Sequence, residues 1–456
     1  MTLPPGRVHF VGIGGAGMSA IAKVLLERGR EVSGSDLKWS RAAAMLEAMG
    51  ARVHVGHDPV LAHDAGAVVV SSAIPRSNPE YARALERDIP VMTRGEALAE
   101  ILRDTRSIVV AGTHGKTTTT SMIVTILRHA GFDPTYLVGA GLNDSGTNAR
   151  SGSGEVSVAE ADESDGSFLL LQPSLAVLTN LEMDHVDHWG SFDELEKAFA
   201  DFAASVTSDG AIVVPHSDEV LGRIAHSVDR TVVTFGEGGD VGANAVSFGP
   251  RGASFELVHG GSGAHVDLRV PGAHNVANAV AAAAAAIHVG VELVQVAAGL
   301  ALYRGVERRF QVRGEVGGVT VIDDYAHHPT EVLATLEAAR PGGWGRVVAI
   351  FQPHRYTRTA ALADAFGASF GPADRVVLMD VYGAGEQPVP GVSGKLIADA
   401  VCRAFPGRPV AYFPHRSTLI DYLVASARPG DALLTLGAGD VTTIGDELLQ
   451  RLGDRS

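Results

Sequence analysis

The sequence predicts an α/β protein of three domains, and three observations support this prediction. Short apolar runs alternate with helical patterns and polar turns along most of the chain. Two of these runs end in glycine-rich turns, at residues 12–17 and 112–115, each followed by a helical pattern. At 456 residues the chain is also too long for a single hydrophobic core. We therefore predict domains at residues 1–104, 105–310 and 311–456.

The first domain is predicted to be Rossmann-like, with a parallel sheet. A helical pattern follows the first apolar run and continues through about Arg28. Alternation of strand and helix with short polar turns is typical of parallel α/β sheets. The predicted strands are RVHFVGI (7–13), REVSGSD (30–36), AGAVVVSSAI (65–74) and IPVMT (89–93).

The central domain is predicted to be of the P-loop ATPase type. It opens with the strand, glycine turn and helix of RSIVVAGTHGKTTTTSMIVTILRHAG (106–131). Buried strands follow at VSVAEADES (156–164) and LAVLTNLEMDH (175–185). From about residue 210 to 271 the segments alternate in polarity and are interrupted by glycine, which predicts an antiparallel section attached to the same domain.

The third domain is predicted to be a second Rossmann-like α/β unit. Each of its apolar runs ends in polar residues, and ligands of open α/β sheets gather outside the carboxyl ends of the strands. The predicted strands are GVTVIDDYA (318–326), RVVAIFQP (346–353), DRVVLMDVY (374–382) and DALLTLGAGD (431–440).

Composition and charge exclude several classes of partner. The formal charge of −15 argues against nucleic acid or an anionic membrane as the main partner. No apolar run approaches the ~18 residues that a membrane span needs, and the N-terminus MTLPPGRVHFVGIG leaves no room for a signal peptide. The single cysteine, Cys402, is expected to fill core space and fits a reducing cytoplasm. The sequence leaves monomer and homodimer open.

The turn after Val110 has the context of a phosphate-binding loop. The common pattern needs glycine at position 110, whereas here the glycines are closer together. Backbone N–H groups of such a turn point at the anion, while a lysine adds positive charge and a hydroxyl suits Mg²⁺. The ATP-binding residues predicted here are Gly112, Thr113, His114, Gly115, Lys116, Thr117 and Thr118.

Carboxylates follow the next two predicted strands, where a magnesium ion beside ATP would need them. One strand end carries Glu160, Asp162, Glu163 and Asp165. The next carries Asn180, Asp184, His185, Asp187 and His188. For this second cluster a zinc site and a solvated polar loop remain as alternatives to a role with Mg²⁺.

The first glycine turn matches a dinucleotide fingerprint. Gly12, Gly14 and Gly17 satisfy G-x-G-x-x-G after a strand, and Asp36 ends the following strand. This spacing suits NAD, with the aspartate on a ribose. Because the turn recognises only a pyrophosphate, any other nucleoside diphosphate remains an alternative.

Three motifs, GTHGKTT, EADESDGSF and TNLEMDHVDHW, resemble in this order those of the Mur ligase family, which form amide bonds in peptidoglycan synthesis. The family's compact G-T-x-G-K-T loop accounts for Val110. The resemblance implies ATP and Mg²⁺ as cofactors, with Lys116, Glu160 and His185 as catalytic residues. It implies that Thr117, Glu160 and His185 hold the metal.

The resemblance also implies that the first domain binds a UDP-sugar and that the third completes the ATP site. The implied UDP-sugar residues are Gly14, Gly15, Ala16, Gly17 and Met18 at the pyrophosphate, and Ser35, Asp36, His57, Ser71 and Ser72 on the uridine side. The further implied ATP residues are His274, Asn275 and Asn278 at the base, Asp324 at the ribose and Arg308 at the domain junction, where the neighbouring Arg309 is a second candidate for meeting the transferring phosphate.

The stretch FQPHRYTRT (351–359) indicates an amino-acid substrate, because the planar guanidinium groups of Arg355 and Arg358 suit a carboxylate. The resemblance adds Tyr325 and His327 to that site. It implies that L-alanine is joined to the lactyl carboxylate of UDP-N-acetylmuramate through an acyl phosphate. Alternatives are a ligase for a preformed peptide, an NAD-dependent oxidoreductase and a nucleotide-binding regulator without chemistry.

Overall fold

The computed structural model describes residues 3–454, apart from the side chains of residues 186 and 187. Its N-terminal domain is a parallel sheet flanked by helices. The elements are β1 (Val8–Val11), α1 (Ala16–Glu27), β2 (Val32–Asp36), α2 (Arg41–Ala48), β3 (Arg52–Val55), β4 (Ala67–Val70), α3 (Pro79–Glu86), β5 (Val91–Thr93) and α4 (Arg94–Leu102).

The central domain combines a parallel sheet with an antiparallel extension. Its first half contains β6 (Arg106–Ala111), α5 (Lys116–His129), β7 (Thr135–Leu137), β8 (Ala149–Arg150), β9 (Val156–Glu160), β10 (Leu175–Leu178), α6 (Val186–Trp189) and α7 (Phe192–Ala204). Its second half contains β11 (Ala211–Pro215), α8 (Glu219–His226), β12 (Thr231–Phe235), β13 (Val241–Gly249), β14 (Gly252–His259), β15 (Ser262–Leu268), α9 (Ala273–His288) and α10 (Leu293–Leu302).

The C-terminal domain is a third α/β unit. Its elements are β16 (Gln311–Val316), β17 (Val319–Asp324), α11 (Pro329–Ala339), β18 (Arg346–Phe351), α12 (Tyr356–Ser369), β19 (Arg375–Leu378), α13 (Gly394–Ala404), β20 (Val410–Tyr412), α14 (Arg416–Ser426), β21 (Asp431–Leu436) and α15 (Thr442–Gly453).

The N-terminal sheet has the strand order β3-β2-β1-β4-β5, with every pair parallel. Its central strand, Val8–Val11, is fully buried, as expected for a strand covered by helices on both faces. The edge strand β3 was not predicted, because three of its four residues are exposed and it has no apolar run. The strand order matches that of the first five strands of the Rossmann fold, whose full order is 3-2-1-4-5-6.

The central sheet has the order β15-β14-β13-β12-β11-β10-β6-β9-β7-β8. The antiparallel section is shorter than predicted: it begins at β13, while β11 and β12 still pair in parallel. The reason is that α8 connects β11 to β12 as a crossover, and a crossover returns the chain in the same direction. The section itself consists of the hairpins β13–β14 and β14–β15.

Alanine allows the helices of the central domain to pack closely on the phosphate-loop helix. Residues 279–286 of α9 are all buried, and α9 packs against α5. Gly299 of α10 lies where a Cβ would meet the Cα of Ile126 on α5 at 2.8 Å. The start of α9 is thereby fixed beside the start of α5, and both helix starts border the site described below.

The C-terminal sheet has the order β16-β17-β21-β18-β19-β20, which is parallel except for the edge strand β16. Cys402 was expected in the core, but it is exposed on α13. No helix among residues 3–454 is long and apolar enough to cross a membrane. The predicted boundary at 310/311 lies between α10 and β16, and that at 104/105 lies between α4 and β6.

Candidate active site at the junction of the three domains

The phosphate-binding loop connects β6 to α5 and depends on two glycines. Gly112 and Gly115 have φ values of +137° and +79°, which favour residues without a Cβ. A Cβ at Gly112 would also overlap Thr179 Oγ1, and one at Gly115 would overlap Asn278 Oδ1. The backbone of this loop is therefore in close contact with β10 and α9.

The neighbouring strands bring the predicted polar residues to this loop, since β6 lies between β9 and β10. Asn180, just after β10, accepts a hydrogen bond from the N–H of His114 at 2.8 Å and donates one to its carbonyl at 3.0 Å. Thr179 Oγ1 donates to the same carbonyl at 2.6 Å. The loop is thus held in shape before any ligand binds.

Lys116 folds back over its own loop. Its Nζ donates to the carbonyl of Gly112 at 2.6 Å and lies 2.8 Å from Glu163 Oε2. Burial opposes the charge of the lysine, but the neighbouring Glu163 outweighs burial and raises its pKa. Burial also raises the pKa of Glu163, to about 7, despite that ion pair. Lys116 is therefore a charged group whose side chain is only 15% exposed.

Thr117 and Glu160 present oxygen atoms to the same space. Thr117 Oγ1 donates to Glu160 Oε1 at 2.9 Å, and Glu160 Oε2 accepts from the N–H of Gly139 at 2.8 Å. His185 Nε2 lies 3.8 Å from Glu163 Oε1, and burial lowers the pKa of this histidine. A hydroxyl, a carboxylate and a neutral imidazole fit a divalent cation. The side chain of Asp187, also a candidate, lies outside the described residues.

A cavity of about 210 Å³ lies between the phosphate loop, α9 and the C-terminal domain. It brings Gly115 of the phosphate loop together with the residues predicted for the base and ribose of ATP, namely His274, Asn275, Asn278 and Asp324. Burial lowers the pKa of His274 to about 4 and raises that of Asp324 to about 6. Both Asp324 oxygens accept backbone N–H groups, from Phe310 and Ala326, each at 2.7 Å.

The two arginines at the domain junction have different surroundings. Arg308 donates to the carbonyl of Gly437 at 2.7 Å and pairs with Asp323 at 3.3 Å within the C-terminal domain. Arg309 lines the adenosine cavity, which Arg308 does not. The backbone of Arg308 has a φ of +59°, and the side chains of Arg308 and Arg309 leave this turn in different directions. Both arginines border the larger cavity described next, together with Lys116 and Thr117, so both stay predicted residues of the ATP site.

A larger cavity of about 820 Å³ connects all three domains. It is bordered by the first glycine turn at Gly14, Ala16 and Gly17 and by the second loop at Thr113, His114, Lys116 and Thr117. Its remaining predicted residues are Glu160, His185, Arg308, Tyr325 and His327. Two phosphate-binding turns that lie about a hundred residues apart in sequence therefore open into one space.

On the uridine side the predicted residues bind one another. Asp36 Oδ2 accepts from the N–H of Gly14 at 2.9 Å, and the hydroxyl of Ser35 donates to the buried Glu80 at 2.6 Å and lies 3.0 Å from His57 Nδ1. The side chain of Met18 is buried in the core of the domain. Like Met18, six further predicted residues do not border the large cavity: Gly15, Ser35, Asp36, His57, Ser71 and Ser72.

The predicted amino-acid residues lie beside His185. Arg355 and Arg358 line a small pocket with Met183, Asp184 and His185. Arg358 is 6% exposed, and its Nη2 lies 2.8 Å from Asp184 Oδ1. Burial lowers the pKa of His327 to about 3, and its Nδ1 faces the carbonyl of Tyr325 at 3.0 Å. Because a carbonyl only accepts, Nδ1 carries the proton and Nε2 is the acceptor.

Sequence reasoning missed three charged residues of this site. Arg94 lies at the first glycine turn, where a Cβ on Gly17 would approach its Nη1 within 3.0 Å, and it pairs with Asp162 at 2.8 Å. Glu182 and Glu331 meet at His114 from the central and C-terminal domains, at 3.3 Å each. Glu182 was inside a recognised motif, and Glu331 ends the stretch DDYAHHPTE (323–331) that follows the strand of Asp324, whereas Arg94 carried no local signal.

Comparison with known proteins gives the same three parts. Three family models match the chain, and together they cover most of it. They are described as Mur ligase family, catalytic domain (residues 7–106), Mur ligase middle domain (110–286) and Mur ligase, glutamate ligase domain (308–439).

Full-length relatives match the whole chain. A UDP-N-acetylmuramate–L-alanine ligase from Rubrobacter xylanophilus is 49% identical, over 98% of this chain and 100% of the relative. Its counterpart from Desulforamulus reducens is 47% identical, over 98% of each.

Two solved structures match the fold over nearly the full length. The UDP-N-acetylmuramate-alanine ligase MurC from Thermotoga maritima gives a TM-score of 0.83 at 29% identity, over 99% of this chain and 100% of that one. A murein peptide ligase from Psychrobacter arcticus gives 0.74 at 26% identity, over 98% and 99%. These matches confirm the predicted three-domain α/β fold and the resemblance of the motifs: the chain belongs to the Mur ligase family.

Proposed function

We propose that the chain is an ATP-dependent ligase that joins L-alanine to the lactyl carboxylate of UDP-N-acetylmuramate, in peptidoglycan synthesis. The products are UDP-N-acetylmuramoyl-L-alanine, ADP and phosphate. One observation carries this proposal: a single cavity of about 820 Å³ joins the first glycine turn, the lysine-bearing loop and two of the residues predicted for the amino acid, Tyr325 and His327. Such a ligase needs all three substrates to meet in one space.

The proposed chemistry is phosphorylation followed by attack of an amine. The carboxylate of the sugar attacks the γ-phosphate of ATP, and ADP leaves. The amine of L-alanine then attacks the acyl phosphate, and phosphate leaves as the amide forms. The protein contributes positioning and charge neutralisation, as in other phosphoryl transfers. Lys116, charged and buried beside Glu163, is the group that neutralises the γ-phosphate.

Thr117, Glu160 and His185 are the residues that would hold Mg²⁺. The hydroxyl and carboxylate oxygens already lie within 2.9 Å of one another, and such oxygens are the ligands this ion prefers. When bound, the ion would offset negative charge on the phosphates. Glu160 also accepts the N–H of Gly139, which fixes its orientation toward the loop.

The amino acid is assigned to the space between His185 and α12. Arg355 and Arg358 border it and supply guanidinium groups for the carboxylate of L-alanine. The neutral His327, with Nε2 as its acceptor, provides a partner for the amine. Closure of the C-terminal domain over the central one would exclude water from the acyl phosphate.

The three domains then divide the substrates. We assign the UDP-sugar to residues 1–104, most of the ATP site to 105–310, and the rest of the ATP site with the amino acid to 311–456. We propose a cytoplasmic location, which the single cysteine supports, since chains in a reducing compartment rarely use disulfides. The net charge of −15 argues against nucleic acid as a partner. Both a monomer and a homodimer are compatible with this assignment.

Phosphate release tests the proposal. Purified protein is supplied with ATP and Mg²⁺, then with UDP-N-acetylmuramate, then with single amino acids, separately and together. We expect rapid release only when the sugar nucleotide and L-alanine are both present. Equal release without the sugar would contradict it, and consumption of NADH without ATP would favour the oxidoreductase alternative.

A ligase for a preformed peptide is the second candidate. The likeness to the murein peptide ligase of Psychrobacter arcticus, with a TM-score of 0.74, supports it. The 49% identity to a relative named for L-alanine supports the single amino acid more strongly. Replacing L-alanine by a peptide that begins with L-alanine separates the two, because only a peptide ligase would then release phosphate.

A further inference from the structure

Three side chains, of which only His114 was predicted to contact a substrate, converge between the central and C-terminal domains. His114 Nε2 lies 3.3 Å from Glu182 Oε2, and His328 Nδ1 lies 3.7 Å from the same oxygen. One ligand atom from each residue lies within 4.8 Å of the others. Ligands around a tetrahedral zinc ion are separated by about 3.4 Å, as bond lengths near 2.0–2.1 Å require. The three atoms need only small movements to reach that separation.

His328 gives an independent indication that a ligand is missing. It is 6% exposed, and neither ring nitrogen has a hydrogen-bond partner among the described residues. A buried polar group without a partner is costly, and native proteins rarely leave one. Its Nδ1 lies 3.7 Å from Glu182 Oε2, and the ring centroids of His328 and His114 are 4.8 Å apart. A cation at this point would satisfy the orphaned nitrogen.

The residues around the cluster have the arrangement of an outer shell. Glu331 Oε1 lies 3.3 Å from His114 Nδ1, the nitrogen that does not face the cluster. Thr330 Oγ1 donates to Glu182 Oε2 at 2.7 Å. A carboxylate on the far nitrogen of a histidine fixes its orientation and tautomer, and metal-bound histidines commonly have such a partner.

We propose that His114, Glu182 and His328 form a binding site for a divalent transition-metal ion, of which Zn²⁺ is the best fit. Two imidazoles and one carboxylate are the donors that zinc prefers, whereas Mg²⁺ prefers oxygen. The site shares no residue with Thr117, Glu160 and His185. It also differs from the zinc alternative at residues 184–188, where no three-ligand cluster forms among the described side chains.

The proposed zinc site lies between two domains, so a bound ion would affect how these domains separate. His114 belongs to the phosphate loop and Glu182 follows β10, while His328 precedes α11 of the C-terminal domain. A bound ion would connect the two domains beside the adenosine cavity, which His114 and Glu182 line. Zinc should therefore oppose separation of the domains and slow nucleotide exchange. Only this effect on turnover depends on the proposed function, whereas binding of the ion does not.

Calorimetric titration of the full-length, chelator-treated protein with ZnCl₂, without nucleotide or Mg²⁺, tests the proposal. We expect one zinc ion per chain. His328→Ala and Glu182→Gln should each weaken binding at least about tenfold, and Glu331→Gln, which changes only the outer shell, by about tenfold. His226→Ala, which removes an exposed histidine on α8, is the matched control and should bind zinc as the wild type does.

Zinc could instead bind at the proposed magnesium site, and zinc titration of the Glu160→Gln variant tests this alternative. Retained zinc binding in this variant supports the proposal, and its loss would place the ion at Thr117 and Glu160 instead. Unchanged binding in His328→Ala, or no binding by the wild type, would overturn the proposal. Circular dichroism checks that each variant folds, and His328→Gln replaces the alanine variant if that one does not. Since no substrate is added, this result does not depend on ligase activity.

Discussion

Arg358 and Asp184 form a buried bidentate ion pair across the boundary between the C-terminal and central domains. Nη2 lies 2.8 and 3.1 Å from the two carboxylate oxygens, and Nε lies 3.0 Å from Oδ1. Burial opposes ionisation of Asp184, but Arg358 outweighs it and holds the pKa of that carboxyl well below its usual range. Arg358, which was predicted to bind the carboxylate of a substrate, therefore binds the carboxylate of Asp184 in the structure.

This pair predicts a non-additive effect on stability. Asp184→Asn or Arg358→Met alone leaves a buried charge without its partner, which should cost about 3 kcal/mol of unfolding free energy. The double variant removes both charges and should recover most of that loss. Urea unfolding without substrates measures the four proteins, and a double variant as unstable as the sum of the singles would contradict the coupling.

Lys116→Ala should reduce phosphate release by about 10²–10³-fold, the loss typical when one charged or hydrogen-bonding partner of a transition state is removed. Lys197→Ala is the matched control, because Lys197 is an exposed lysine on α7 that pairs with Asp201 at 2.6 Å. The control should keep wild-type turnover. A Lys116→Ala enzyme that folds normally and retains its rate would exclude the assigned role.

Gly115→Ala should destabilise the protein and weaken ATP binding together. Its φ of +79° costs an alanine about 1–2 kcal/mol, and the added Cβ would also overlap Asn278. Gly131→Ala separates these two effects, since its φ is +83° but nothing lies within 4 Å of a Cβ there. Both variants should lose stability, and only Gly115→Ala should lose nucleotide affinity in a calorimetric titration. Equal affinities would refute close packing at Gly115.

The N-terminal domain should lose stability as the pH falls below about 6.5. Burial lowers the pKa of His9, so protonation of this histidine favours the unfolded chain, and stability is present above its unfolded pKa. Hydrogen bonds from His9 and Ser35 outweigh burial and lower the pKa of Glu80, whose contribution disappears at more acid pH. Arg7 and His54 are the other charged or titratable groups acting on His9.

Proteolysis of the N-terminal domain between pH 5 and 8 measures this dependence. His9 Nε2 lies 3.0 Å from Glu80 Oε2, so His9→Gln removes one titrating member while keeping a polar side chain. The variant should show a smaller change in protection across this range than the wild type. An unchanged pH profile would show that His9 does not control the stability of the domain.

Candidate site residues that lie within one short stretch could be predicted from the sequence. The loop from Gly112 to Thr118, Glu160 at the end of β9 and His185 after β10 are each placed by a local turn or strand end. Adjacent parallel strands then bring these ends to the same edge of the sheet, as the structure shows for β6, β9 and β10. The same local reasoning recognised the Arg355 and Arg358 pair.

Contacts between segments that are distant in sequence could not be predicted from such local patterns. Arg308 and Arg309 are adjacent in sequence, yet only Arg309 lines the cavity of about 210 Å³ that contains His274 and Asp324. Only the packing of the domains brings Glu331 and His328 to His114, and Asp184 to Arg358. Backbone turns depend on a few neighbouring residues and are therefore determined by local sequence. The partners of a charged side chain depend on which surfaces meet after folding, so only the tertiary structure decides them.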